Sequence, residues 1–139
     1  MNTIAKVMYT TEVTTTGGRS GRSTSDDGLL DVPLARPGTG RATNPEQLLG
    51  AGWSACFQSA LQHIAARQEL DISASIVKAR VTIGTEEDGG FALKVALAVA
   101  IPGLALDVVQ ALADQAHAVC PYSKATRGNI TVDVLAVVA

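Results

Sequence analysis

The chain has 139 residues, the size of one ordinary domain, so it is read as a single domain over 1–139. Hydrophobic residues make up 47% and charged residues only 17%, against about 25% charged in an average soluble domain, which points to a surface partly covered by a partner subunit. A net charge of −2 supplies none of the basic excess that phosphate-tracking proteins use to release counterions, so the composition argues against nucleic acid as a partner.

Residues 4–13 set Ile4, Lys6, Met8 and Thr10 against Ala5, Val7, Tyr9 and Thr11, a β-branched alternation that predicts a half-buried strand. Gly17-Gly18 predicts a tight turn, because glycine takes positive φ without steric cost. A second turn at Asp26-Asp27-Gly28 leads into Leu30, Val32 and Leu34, a short alternating strand ended by Pro37-Gly38. The N-terminal stretch therefore reads as a meander of three short strands.

A helix is predicted over 44–68. Asn44 suits the N-cap, Pro45 falls where its missing N–H costs nothing, and Gln47 lies three residues after the cap, as in a capping box. Leu49, Trp53, Cys56, Ala60, His63 and Ile64 recur at spacings of three and four, which predicts one core-facing stripe. Gly50 and Gly52 each lower helix propensity by about 1 kcal/mol relative to alanine, so a close crossing of the helix is expected there.

Residues 75–84 and 91–101 flank the turn Glu86-Glu87-Asp88-Gly89-Gly90 and predict a hairpin with one heavily buried face, carried by Phe91, Leu93, Val95, Leu97 and Val99. Leu106, Val109, Leu112, Ala113, Ala116 and Val119 predict a helix over 105–119, stopped by Pro121. Ile130, Val132, Val134, Ala136 and Val138 alternate as a final strand. The order βββ-α-ββ-α-β favours an α+β fold with antiparallel pairing. No signal peptide is visible and the longest apolar run, Val95 to Ile101, is far shorter than the roughly 20 residues of a spanning helix, so no membrane insertion and a cytoplasmic location are expected.

Cys56 and Cys120 are too few for a stapled secreted framework and do not form a C-x-x-C pair. Cys56 is either a small core hydrophobe or a nucleophile; the second role needs thiolate, hence a nearby cation. Cys120, at a helix end beside a Pro-Tyr-Ser turn, is expected to be more reachable than a mid-helix cysteine. The two close a catalytic disulfide only if the fold brings their Cα atoms within about 7 Å. With His63 and His117 they offer the atom types of a tetrahedral zinc site, but the spacings fit no finger or ribbon, so no metal is expected. Gly17-Gly18-Arg19-Ser20-Gly21-Arg22 lacks the Lys-Ser/Thr ending of a phosphate loop and no helix follows it, which leaves a turn carrying exposed arginines.

Four segments together resemble a known family: Gly17-Gly18-Arg19-x-Gly-Arg, Thr43-Asn44-Pro45-Glu46-Gln47-Leu48, Ser54-Ala55-Cys56-Phe57, and the eleven residues Val119-Cys120-Pro121-Tyr122-Ser123-Lys124-Ala125-Thr126-Arg127-Gly128-Asn129. They are similar, in the same order over nearly the whole chain, to the organic hydroperoxide resistance (Ohr) family of the OsmC-like superfamily. Leu49 and Trp53 depart from it, standing where aromatic residues, usually Phe and Tyr, are found, and the 37–42 loop is short.

The resemblance implies an OsmC-like fold, with antiparallel sheets wrapped around long central helices in an intertwined homodimer. It implies a thiol peroxidase in oxidative-stress defence, reducing alkyl, aryl or fatty-acid hydroperoxides. Cys56 would be the peroxidatic cysteine, Cys120 the resolving cysteine, Arg19 the cation that stabilises the thiolate, and Glu46 the carboxylate that orients Arg19. Leu49, Trp53 and Phe57 would line the substrate pocket. No bound cofactor is implied; a lipoyl group on a partner protein would be the external dithiol reductant. Glu46 and Cys56 lie ten residues apart on one predicted helix, about 15 Å along its axis, so Arg19 and Glu46 are expected to come from the partner chain. The alternatives are an OsmC-type peroxidase of broader substrate range and a non-enzymatic thiol redox sensor or metal-binding module.

Overall fold

Backbone pairing begins at Val13 in the computed structural model of the chain, which describes residues 1–139. The chain divides into two units, Met1–Leu48 and Leu49–Ala139. In the first, β1 (Val13–Thr16), β2 (Arg22–Ser25) and β3 (Asp31–Pro33) form an antiparallel sheet in that order. Thr15 stands opposite Ser23, and their hydroxyls hydrogen-bond at 2.6 Å. The half-buried strand expected over 4–13 is not found: residues 1–12 are exposed and outside any strand. Alternation alone does not make a strand, and the ladder starts only where β2 supplies partners for Val13 onward.

The turn after β1 is built from glycine. Gly17 and Gly18 have φ of 74° and 55°, and a Cβ on Gly21 would lie 1.6 Å from the Thr16 carbonyl oxygen. No other residue fits at 21 without moving the backbone. A single 3-10 turn, Gly18–Ser20, holds Arg19 at its centre.

Helix α1 (Pro45–Arg67) starts as its sequence signals predict. Asn44 Oδ1 accepts the Gln47 N–H at 2.8 Å, while the Gln47 side chain accepts the Thr43 hydroxyl at 2.8 Å, so the capping box is completed on one side only. The helix ends in a Schellman arrangement: the Leu70 N–H bonds to Ala65 O and the Glu69 N–H to Ala66 O. Glu69 occupies the left-handed position at φ 57°, where glycine is usual.

In the second unit, β4 (Ile76–Thr85), β5 (Phe91–Ala100) and β6 (Thr131–Ala136) form a sheet in that order. The β4–β5 hairpin is antiparallel, as expected, but β6 runs parallel to β5, with Val95 opposite Val132. The helical crossover made by α2 (Leu106–Val119) and α3 (Pro121–Thr126) allows a parallel return. Gln110 on α2 ties into β6: its Nε2 donates to Val134 O at 3.0 Å and its Oε1 accepts the Ala136 N–H at 2.8 Å.

The core joins Trp53, Phe57, Leu61 and Ala65 of α1 to Val95, Leu97 and Val99 of β5 and to Val109, Leu112, Ala113 and Ala116 of α2. The buried stripe on α1 is therefore offset from the expected one. Leu49, Cys56, Ala60 and Ile64 flank it half-buried, and His63 is exposed. Apolar residues lie on more than one face of this helix, so spacing alone does not choose the stripe. Phe91, expected in the buried face of β5, is 77% exposed near the hairpin turn, beyond the reach of the core. Of the two glycines expected at a crossing, Gly50 faces a strand and Gly52 faces the short helix α3. A Cβ on Gly50 would touch Val81 of β4 at 3.4 Å, and one on Gly52 would lie 2.8 Å from the Tyr122 hydroxyl. No helix is long and apolar enough to cross a membrane.

Candidate active site

Cys120 is placed by the proline that follows it. Pro121 disfavours the helical region for its predecessor, and Cys120 takes ψ 125°, which ends α2 and starts α3 with Pro121 in its first turn. The segment read as a turn is thus a second helix. Its corner turns Cys120 inward: Cys120 is fully buried, whereas Cys56 on α1 is half-buried. The expected order of accessibility is reversed, because Cys120 itself joins the core while Pro121 and Tyr122 beside it stay exposed.

The two thiols are free and adjacent. Burial pushes the Cys56 thiol up, and the neighbouring Cys120 pushes it further, through its charge and by favouring the protonated Cys56 thiol as a hydrogen-bond donor. The Tyr122 N–H acts in the opposite direction, lying near enough to Cys56 to favour the thiolate there. Peptide N–H groups in the first turn of a helix have no intrahelical acceptor, which leaves this donor free for the sulfur.

The first turn of α3 rests on α1 around Cys56. Trp53 stacks on Tyr122 with ring centroids 6.2 Å apart and planes at 28°, and its Nε1–H donates to Ser123 Oγ at 3.3 Å. Trp53, Phe57 and Ser123 are fully buried, and Leu49 keeps partial exposure. The sequence signals Tyr122 and Ser123 only through their position directly after Cys120-Pro121.

Within the first unit, Arg19 and Glu46 form a bidentate pair, Nη1 to Oε2 at 2.8 Å and Nη2 to Oε1 at 2.6 Å. Arg19 holds the Glu46 carboxyl below its ordinary range, chiefly through these hydrogen bonds. Glu46 also sits in the first turn of α1, where the helix dipole favours a negative charge. The paired oxygens leave the guanidinium's remaining N–H donors, on a side chain 46% exposed, available to a further anion. His63 and His117 do not join the cysteines in a ligand set, since no group of three or more His, Cys, Asp or Glu side chains is arranged to hold a metal.

Residues 38–135 match the family described as OsmC-like protein. The organic hydroperoxide resistance protein of Xanthomonas axonopodis pv. citri is 46% identical over 133 residues, covering 91% of this chain and 93% of the relative. Among solved structures, the organic hydroperoxide resistance protein OhrB of Bacillus subtilis superposes with a TM-score of 0.87 at 43% identity, covering 93% of this chain and 98% of that one. An organic hydroperoxide resistance protein from Elizabethkingia anophelis, with crystallant-derived thiocyanate bound, gives 0.88 at 43% identity, covering 96% and 99%.

Proposed function

Since the chain belongs to the organic hydroperoxide resistance family of OsmC-like proteins, we propose that it is a cysteine-based peroxidase that reduces organic hydroperoxides to alcohols in defence against oxidative stress. The observation that carries the mechanism is the adjacency of Cys56 and Cys120 beneath the first turn of α3.

The Cys56 thiolate attacks the distal oxygen of the hydroperoxide; a sulfur–oxygen bond forms, the peroxide bond breaks, and the departing alkoxide takes up a proton to become the alcohol. Cys120 then attacks the sulfenic acid on Cys56. A disulfide forms, and the hydroxyl leaves with the Cys120 proton as water. A lipoyl-type dithiol, carried by a lipoylated protein, reopens the disulfide by thiol exchange and is itself oxidised to a cyclic disulfide.

Burial and Cys120 both oppose thiolate at Cys56, so the mechanism requires a cation. Arg19 is assigned that role, oriented by Glu46 and supplied by a second copy of the chain. A homodimer is supported by the exposed apolar side chains of the N-terminal segment, Ile4, Val7, Met8 and Tyr9, which a partner would cover. Leu49, half-buried beside the core, is the apolar contact for an alkyl or aryl hydroperoxide, with Trp53 and Phe57 packed behind it.

Turnover of cumene hydroperoxide with dihydrolipoamide tests the proposal. The wild type should consume many equivalents, Cys56→Ser none, Cys120→Ser only what it reduces before its sulfenic acid is overoxidised, and Arg19→Ala should be slower by about a hundredfold. A wild type that stops after one equivalent is a thiol sensor. Loss with Cys120→Ser but not Cys56→Ser would reverse the two roles, and a monomer with full activity would remove the dimer from the mechanism.

A further inference from the structure

Trp53, Tyr122 and Ser123 make a contact that none of the steps above uses. Gly52, Trp53 and Cys56 stand at i, i+1 and i+4 on α1 and so fall on adjoining parts of one helix face. The first turn of α3 lies against all three. The Tyr122 hydroxyl sits over Gly52, its ring stacks on Trp53, and its N–H lies near enough to Cys56 to favour the thiolate there. Ser123, buried without exposure, receives the Trp53 indole N–H.

Cys120 is rigidly joined to this turn. Its N–H bonds to Ala116 O at 2.8 Å and its carbonyl accepts the Lys124 N–H at 2.9 Å, so it is at once the last cap of α2 and the first of α3. Whatever anchors the first turn of α3 on α1 therefore sets where Cys120 Sγ stands relative to Cys56. That placement is chemically demanding: a disulfide needs its sulfurs about 2.05 Å apart with a narrow range of dihedral angle, and misplacement by about 1 Å slows a reaction between oriented groups severely.

The geometry points to Trp53 and Ser123 as positioning residues for the disulfide-forming step, their hydrogen bond clamping α3 to α1 so that Cys120 captures the Cys56 sulfenic acid before a second hydroperoxide does. This rests on the peroxidase reading and extends it to the fate of the intermediate. Two reactions compete for that intermediate. In one, the Cys120 thiol displaces water and a sulfur–sulfur bond forms. In the other, a second hydroperoxide transfers an oxygen to Cys56, giving sulfinic acid and a second molecule of alcohol. The first is intramolecular and depends on placement; the second depends on hydroperoxide concentration. Trp53, which stands where the family usually has tyrosine, is the residue whose N–H reaches Ser123.

The test uses the reduced full-length protein, pulsed with rising equivalents of cumene hydroperoxide, quenched with N-ethylmaleimide and resolved by peptide mass spectrometry. The readout is the ratio of Cys56 sulfinic acid to Cys56–Cys120 disulfide, which does not depend on the amount of active protein. Trp53→Phe and Ser123→Ala should each raise that ratio about fivefold, the factor associated with losing one buried hydrogen bond. The double variant should be no worse than Trp53→Phe, because both changes remove the same bond. Ser123→Ala deletes a single oxygen atom, so it keeps the test valid should Trp53→Phe fail to fold. Wild-type ratios in Ser123→Ala, in a chain that does reduce hydroperoxide, would overturn the clamp and leave the peroxidase standing. A wild type that consumes no hydroperoxide, or consumption that survives Cys56→Ser, would overturn the peroxidase reading and the clamp with it.

Discussion

The guanidinium of Arg19 and the carboxylate of Glu46 face each other fork to fork, joined by two hydrogen bonds of 2.8 and 2.6 Å between a glycine-built turn and the first turn of α1. Arginine is suited to this geometry and lysine is not, since only the planar guanidinium presents two parallel donors. The pair fixes the direction of the remaining donors, which is what orienting a cation toward an anion requires.

Protonation behaviour of Glu46 follows from the pair. Its folded value lies below the ordinary 4.5, so the contribution of the ion pair is fully present above 4.5 and is lost as the pH falls through the depressed folded value. Side-chain carbon NMR should find the Glu46 midpoint below 4.5 in the wild type, and Arg19→Lys should move it upward because a point charge cannot hold both oxygens. An unmoved midpoint would mean that the bidentate contact is not formed in solution.

Cys56 is pulled toward the neutral thiol by burial and by Cys120, against the single Tyr122 N–H. In Arg19→Ala, which removes the assigned cation, the pH midpoint of iodoacetamide labelling at Cys56 should therefore lie above the ordinary thiol range. Adding Cys120→Ala should bring it down, since one of the two upward influences is gone. A midpoint that rises on removing Cys120 would contradict the adjacency of the two thiols.

His117 gives the chain a sensitivity to mild acid. Burial, and then the charge of Arg127, hold it below its ordinary 6.5, with Asp114 acting weakly the other way, and its buried Nδ1 has no hydrogen-bond partner. The unfolded chain thus binds a proton at higher pH than the folded one, and stability should fall as the pH drops below about 6.5. Chemical denaturation across that range should show the loss, and His117→Phe should flatten it.

The left-handed Glu69 marks a site for stabilisation. A non-glycine residue there costs about 1 kcal/mol, so Glu69→Gly should raise stability by about that amount and the melting temperature by about 3 °C. Calorimetry decides it; a loss of stability would show that the Glu69 side chain makes a contribution larger than the strain.

Local signals carried far in this chain. Asn44-Pro45 announced α1 at its first residue, and glycines placed the turns at 17–18, 28 and 89, because capping and positive φ are properties of a few adjacent atoms. The end of α1 was less visible, since glutamate rather than glycine stands at the left-handed position. The cysteine-centred motifs carry the family resemblance for the same reason: they are contiguous runs of residue identity.

What depends on partners distant in sequence was not legible. The alternation over 4–13 predicts a strand, but of those residues only Val13 meets a neighbouring strand. Which stripe of α1 faces the core was settled by packing against β5 and α2, since apolar residues surround that helix. Gly50 and Gly52 promised a close approach, and tertiary contacts identified it as Val81 and the Tyr122 hydroxyl. The burial of Cys120, the parallel return of β6 and the Trp53–Ser123 hydrogen bond across 70 residues belong to the same class. Sequence by itself determined the turns, the helix start and the α+β class, because these are set by short-range sterics and composition. Tertiary structure alone decided how deeply each thiol is buried and what holds one beside the other, because those depend on where helices separated in the chain come to rest.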